Sequence, residues 1–142
     1  MKRTPLTRNT PLKRTRMKRK RRKGDKPSVR MKYLQEHSCC AVCGEGWRTF
    51  DNWLEVHHIV GAAGRKDCLE NLLTLCRFCH DKYHRGHELT PGMLLWAKQQ
   101  SDPAHYDERV ICELLGRKAL PEHWIPTPPP AWVYQERERS MR

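Results

Sequence analysis

The sequence predicts a small α+β fold with a disordered basic arm before it and added helices after it. Three observations predict this class. Only 37% of the 142 residues are hydrophobic, so the folded part must be small. The central segments follow one another in the order strand, loop, strand, helix. Two Cys-x-x-Cys pairs lie on either side of the two predicted strands, and small domains often need a staple of this kind.

The amino-terminal arm, taken as residues 1–30, holds the excess charge. Residues 1–32 contain 15 Lys and Arg against one Asp, whereas the net charge of the whole chain is +12. Thr-Pro pairs at positions 4–5 and 10–11 favour extended backbone that buries nothing. Such an arm attracts a polyanion, nucleic acid above all, by releasing condensed counterions. The alternative is a tail that only aids solubility or adheres to ribosomes.

The chain has the features of an intracellular, cytoplasmic protein. No apolar run is long enough to span a membrane, and no apolar segment follows the basic start as it would in a secretory signal. We therefore expect no membrane partner. In a reducing compartment, the seven cysteines favour metal binding over a disulfide framework.

The predicted domain covers residues 31–88. The segment at 29–37, which leads into the first cysteines, is either a short helix or a strand. A β-forming run over 53–59 is the first strand, and a glycine-containing loop leads to a second strand at 72–75. A helix is predicted over 79–85, with Gly86 as its stop signal.

Two helices are expected in the extension over 89–120. The Thr-Pro pair at 90–91 is an N-cap followed by a first-turn proline, and its helix runs to about residue 100. The Asp-Pro pair at 102–103 is expected to open the next helix, which Gly116 ends. The tail over 121–142 is rich in Pro and Trp; packing of its tryptophans on the body is favoured over a partner-binding role.

The cysteine spacing predicts a structural zinc site. Four soft thiolates complete a tetrahedral site and leave no open position: Cys40, Cys43, Cys76 and Cys79. Gly44 allows the chain to turn tightly under the metal. The alternatives are four buried free cysteines, or the use of Cys39 in place of Cys40, which the spacing disfavours.

The histidines predict a second, open metal site. His80 and His84 lie four apart on the predicted helix and face the same way, and His57 ends a strand that could bring its ring to them. Three neutral imidazoles leave room for water and a phosphate. Adjacent strand residues face opposite sides, so His58 is left free as a general base. The roles of His57 and His58 could be reversed.

These residues together resemble the HNH endonuclease family, whose fold is the ββα-metal finger. The resemblance is carried by EVHHI at 55–59, NL at 71–72 and LCRFCH at 75–80, and it extends over about 38–86. It implies His58 as the general base and Asn71 as the residue that orients it through hydrogen bonds. It implies His57 and His80 as ligands of a catalytic ion, with His84 as the additional ligand of some members.

The same resemblance implies hydrolysis of nucleic-acid phosphodiester bonds, DNA before RNA, to a 3′-hydroxyl and a 5′-phosphate. His57 stands where many members have Asp, so Mg²⁺, Mn²⁺, Ni²⁺ and Zn²⁺ all stay open as the catalytic ion. Basic residues that could contact phosphates, or be solvated surface charges, are Arg65, Lys66, Arg77, Lys82 and Arg85. A short HNH protein with such a basic arm resembles the HNH proteins of phages and mobile elements. The alternative function is a non-catalytic zinc module that binds DNA or RNA.

Overall fold

The computed structural model describes residues 28–46, 53–85 and 88–131. The predicted arm therefore lies almost entirely outside the described residues, as do the helix stop at Gly86 and the end of the predicted tail. The elements in chain order are α1 (Val29–Glu36), β1 (Leu54–His58), β2 (Leu72–Cys76), α2 (Arg77–His84), α3 (Pro91–Ser101) and α4 (Glu108–Leu115). They form the small α+β fold that the sequence predicts. None of the helices in these ranges has the length and apolar character needed to cross a lipid bilayer.

The strands β1 and β2 form a two-stranded antiparallel sheet, and α2 follows β2 without a connecting loop. In this sheet Leu54 lies opposite Cys76, and His58 lies opposite Leu72. Helix α2 begins at Arg77, earlier than the predicted start at residue 79. The reason is a side-chain cap, because the sulfur of Cys76 accepts from the N–H of Cys79 at 3.5 Å.

The segment at 29–37 is a helix rather than a strand. Ser28 caps it by accepting from the N–H of Met31 at 3.3 Å. Tyr33 is buried on the sheet side of the helix. Arg30 reaches the sheet directly, since its guanidinium donates to the carbonyl oxygen of Val56 at 2.6 Å. Helix α1 is therefore fixed against β1.

Helix α3 begins as the Thr-Pro pair predicts. The hydroxyl of Thr90 accepts from the N–H of Met93 at 3.3 Å, and Pro91 occupies the first turn. The side chains of Leu94, Leu95 and Ala97 are fully buried, which ties this helix to the rest of the molecule.

The predicted start of the next helix at 102–103 is wrong. Residues Pro103–His105 form a single 3-10 turn, and α4 begins at Glu108 with the side chain of Asp107 as its cap. Asp102 cannot cap a helix because its carboxylate accepts hydrogen bonds from other side chains. The predicted end is confirmed, since Gly116 takes the left-handed conformation at φ 65°.

One hydrophobic cluster contains side chains from both the predicted domain and the extension. Its buried members include Val42, Leu73, Leu75, Leu94, Leu95, Ala97 and Ile111. Trp124 packs against the cluster, as expected for a tail tryptophan, and Trp132 lies outside the described residues. The segments on either side of the predicted boundary between residues 88 and 89 thus share one core.

Two glycines allow the extension to approach the rest of the chain closely. A Cβ on Gly64 would lie 2.4 Å from the carbonyl oxygen of Leu114 in α4. A Cβ on Gly92 would lie 2.3 Å from the carbonyl oxygen of Ile125. Both contacts are to backbone atoms, which cannot rotate away, so no larger residue fits without a shift of the chain.

A buried ion pair joins three elements. The ammonium of Lys98 in α3, fully buried, donates to Asp102 at 2.5 Å and to the hydroxyl of Tyr33 in α1 at 3.0 Å. It also donates to the carbonyl oxygens of Leu69 and Leu72 at 2.8 and 2.9 Å. This single side chain therefore holds α1 and α3 to the start of β2.

Candidate active site

The four predicted zinc ligands lie together. The sulfur atoms of Cys40, Cys43, Cys76 and Cys79 are all within 4.8 Å of one another. The sulfurs of Cys43 and Cys76 are 3.6 Å apart, and a tetrahedral ion with bonds of about 2.3 Å requires about 3.8 Å. The group is the right size for zinc and could hold one ion.

The backbone around the first pair has the shape expected for a metal knuckle. Gly44 takes a positive φ of 73°, and its N–H donates to the carbonyl oxygen of Cys40 at 2.8 Å. Cys39 is exposed and belongs to no cluster of possible ligands within the described ranges. Hydrogen bonds with the thiols of Cys43, and then Cys76 and Cys79, lower the pKa of Cys40, which favours a thiolate in the group.

The three predicted imidazole ligands also converge. One ring nitrogen from each of His57, His80 and His84 lies within 4.8 Å of the others. The ring centroids of His80 and His84 are 4.5 Å apart, as residues one helical turn apart should be, and that of His57 is 5.4 Å from His80. Residue types and spacing together fit a divalent ion with open positions.

His57 has a ring nitrogen suited to bind a metal ion. Its Nε2 atom is buried and has no hydrogen-bond partner among the described residues. A buried polar atom is normally paired, so this nitrogen fits a metal ion better than an apolar contact. Burial and repulsion from His84 and His80 lower the pKa of His57 to about 3. The ring is therefore neutral at physiological pH, which is the form that binds metal.

His58 is directed to a different partner. Its Nε2 atom lies 2.6 Å from a carboxylate oxygen of Asp67, and its side chain is 8% exposed. This contact could not be predicted from the sequence, because Asp67 lies at the end of a loop whose course no local pattern predicts. The two neighbouring histidines differ in surroundings, as the alternation of a strand requires.

Asn71 is fully buried, and its side chain is bonded to the main chain on both sides of a loop. Its amide oxygen accepts from the N–H of Val60 at 2.7 Å. Its amide nitrogen donates to the carbonyl oxygens of Val60 and Lys66, each at 3.1 Å. Asn71 thus closes the loop that connects His58 to Asp67, and its side chain is bonded to neither of these residues within the described ranges.

A cavity of about 400 Å³ opens at the end of β1. It is lined by all four histidines of the motif, His57, His58, His80 and His84, and by Glu55, Arg30 and Arg65. Glu55 lies 3.7 Å from Nε2 of His80. Arg30 was not predicted, because in the sequence it belongs to the basic arm.

The predicted phosphate-contacting residues differ in their surroundings. Arg65 lines the cavity, and Lys66 beside it is exposed. Arg77 lies over the ring of Trp53, and Arg85 is exposed. Lys82 is only 7% exposed, and its ammonium is ion-paired with Glu88. The structure therefore does not support a phosphate contact for Lys82.

The comparison with protein families agrees with this geometry. The HNH endonuclease family model matches residues 40–86, which is about a third of the chain. The match identifies residues 40–86 as similar to the HNH endonuclease domain. This segment contains both groups of possible metal ligands together with Asn71 and Asp67. No curated protein and no solved structure gives a significant match. The HNH domain indicates a nuclease-type activity, and domains of this family act on nucleic acid.

Proposed function

We propose that the protein is a metal-dependent endonuclease that hydrolyses phosphodiester bonds, with DNA as the preferred substrate. The observation that carries the proposal is the meeting of three possible metal ligands and His58 in one cavity that also holds two arginines. A binding module would need the cysteine group and the basic arm, but it would have no use for this arrangement.

In the proposed mechanism, His58 accepts a proton from water while the water oxygen attacks phosphorus in line. Arg30 and Arg65 orient the phosphate by charge-assisted hydrogen bonds from the cavity wall. Asn71 keeps the loop beside His58 closed. A divalent ion held by His57, His80 and His84 would supply positive charge to the phosphate and to the leaving oxygen.

The ligand types favour one group of ions. Three imidazoles suit borderline ions such as Zn²⁺ and Ni²⁺, whereas Mg²⁺ prefers oxygen ligands. We therefore propose Zn²⁺ or Ni²⁺ ahead of Mg²⁺ at the histidine group, and a structural Zn²⁺ at the cysteine group. The basic arm would bring the domain to its polyanionic substrate by counterion release.

A nicking assay tests the proposal. Protein purified with one equivalent of zinc is mixed with supercoiled plasmid, and each candidate ion is added in turn. His58→Ala should lower the rate by about 10²-fold or more, because the general base is lost. His123→Ala removes an exposed histidine far along the chain and should cleave like the wild type. RNA of matched length in a parallel series decides the preferred substrate.

A protein that binds plasmid but cleaves it with none of the ions would be the non-catalytic zinc module instead. Cleavage that survives in His58→Ala would leave the activity standing and refute the role of this residue.

A further inference from the structure

The donor and the acceptor in the contact between His58 and Asp67 can be assigned. The ring Nε2 and the carboxylate oxygen are 2.6 Å apart, a short hydrogen bond. An ionised carboxylate only accepts hydrogen bonds, so the ring must donate. The hydrogen of a neutral His58 therefore lies on Nε2, and the lone pair is on Nδ1. A base needs that lone pair, so this contact decides which ring atom can accept a proton.

The pair does not resemble an accidental surface contact. The side chain of His58 is 8% exposed, whereas that of Asp67 is 54% exposed, so the carboxylate reaches inward from the surface to a buried ring. Ion pairs that form only at a surface have two solvated partners and contribute little. Without Asp67, the Nε2 atom of this largely buried ring would have no hydrogen-bond partner among the described residues.

The loop between the two residues is held from inside. Asn71 accepts from Val60, two residues after His58, and donates to Lys66, the residue before Asp67. The N–H of Ile59 also donates to the carbonyl oxygen of Asn71 at 2.9 Å. Both ends of the loop are thus fixed to one buried side chain, which brings the carboxylate to the ring with little conformational freedom left to lose.

We propose that Asp67 is the positioning residue for His58, and that it fixes the ring with Nδ1 as the proton-accepting atom. The inference rests on the proposed function and adds a residue to it. In the reaction, an O–H bond of water breaks and its proton goes to Nδ1. The oxygen electron pair forms the new bond to phosphorus, and the bond to the leaving oxygen breaks with its electron pair, which a solvent proton then neutralises. The carboxylate faces the positive charge that the ring acquires.

The kinetic test compares single and double variants in the nicking assay. Asp67→Ala should lower kcat by about 10- to 100-fold, the range typical of residues that orient a functional histidine, and leave KM unchanged. In the His58→Ala background the same change should cause no further loss, because Asp67 acts only through that ring. Asp67→Glu, which restores a carboxylate, should recover part of kcat.

A matched control keeps the loss of charge separate from the loss of the contact. Glu70→Gln removes a negative charge three residues along the chain, where no hydrogen bond to His58 exists within the described ranges, and should retain wild-type kcat. An equal loss in Asp67→Ala and Glu70→Gln, or an equal further loss in the His58→Ala background, would refute the positioning role.

A second readout does not depend on activity. Long-range ¹H–¹⁵N correlation spectra of the zinc-loaded protein without substrate report which ring nitrogen of His58 carries hydrogen. We expect the Nε2–H form in the wild type and in Glu70→Gln, and a mixture of both forms in Asp67→Ala. A wild-type ring with hydrogen on Nδ1 would overturn the inference. A wild type that fails to nick but shows Nε2–H would refute the proposed function while supporting the contact itself.

Discussion

Replacing Asp102 by alanine should destabilise the protein strongly. Its carboxylate accepts from the buried ammonium of Lys98 at 2.5 Å, from the hydroxyl of Tyr33 at 2.9 Å and from the ring of His105 at 2.8 Å. Removing one partner of a buried ion pair costs about 3 to 5 kcal/mol, because the other charge stays buried. In the variant, the Tyr33 hydroxyl and two carbonyl oxygens still accept hydrogen bonds from Lys98. We therefore expect a loss of stability at the lower end of this range, about 3 kcal/mol.

The measurement is urea unfolding of the zinc-saturated protein, followed by tryptophan fluorescence. Asp107→Ala is the matched control, since it removes an exposed helix cap from the same extension and should cost about 1 kcal/mol. The double variant Lys98→Met/Asp102→Ala should recover part of the loss, because it leaves no uncompensated charge. A stabilising buried ion pair is refuted if Asp102→Ala costs no more than Asp107→Ala, or if the double variant loses the sum of its two single changes.

The pH dependence gives the same pair a second test. Burial alone would raise the pKa of Asp102, but hydrogen bonds from Lys98 and His105 outweigh it, and the pKa is lowered from its ordinary 3.8. A carboxyl group whose pKa is lower in the folded state stabilises that state at pH values above its pKa in the unfolded chain. This stability is lost as the pH falls through the pKa of the folded state. The difference between wild type and Asp102→Ala should therefore shrink as the pH falls below about 4.

Four further outcomes are expected. Cys76→Ser should lose the proposed structural zinc and unfold residues 38–86. Unchanged zinc content and melting temperature would contradict the assignment of the cysteine group as a zinc site. His57→Ala should weaken binding of the second ion in calorimetric titration while His58→Ala leaves it intact; the opposite result would reverse their roles. Gly64→Ala should cost about 1 to 3 kcal/mol because its Cβ meets the backbone of α4, and equal urea midpoints would contradict this. Deleting residues 1–26 should make the salt dependence of nucleic-acid affinity shallower, as filter-binding assays at several ionic strengths would measure, and an unchanged slope would exclude electrostatic capture.

The parts of the fold that could be predicted are those specified over a few residues. Thr90 with Pro91 marks the start of α3, and Gly116 marks the end of α4, because each signal acts through its own backbone. The spacing of His80 and His84 brings their rings together on any helix. Such signals need no knowledge of the tertiary structure.

The parts that could not be predicted depend on contacts across the chain. Lys98 has the sequence context of a surface helix residue, yet it is fully buried, because carbonyl groups from another segment and Asp102 surround it. That same pairing removes Asp102 from the helix start that its Pro neighbour suggested. Asp67 likewise reaches His58 only because a loop is closed by a buried asparagine.

The two groups of possible metal ligands share helix α2, and we expect the histidine group to depend on the cysteine group. Cys76 and Cys79 lie at the start of α2, while His80 and His84 lie further along the same short helix. An eight-residue helix is marginal alone, so the contacts at its first turn must hold it. Loss of the cysteine group should therefore also scatter the imidazoles of α2. His57 lies on the sheet, so we expect its loss to leave the helix and its cysteines in place. The histidine group should therefore depend on the cysteine group, with zinc bound there as proposed, far more than the cysteine group depends on the histidines.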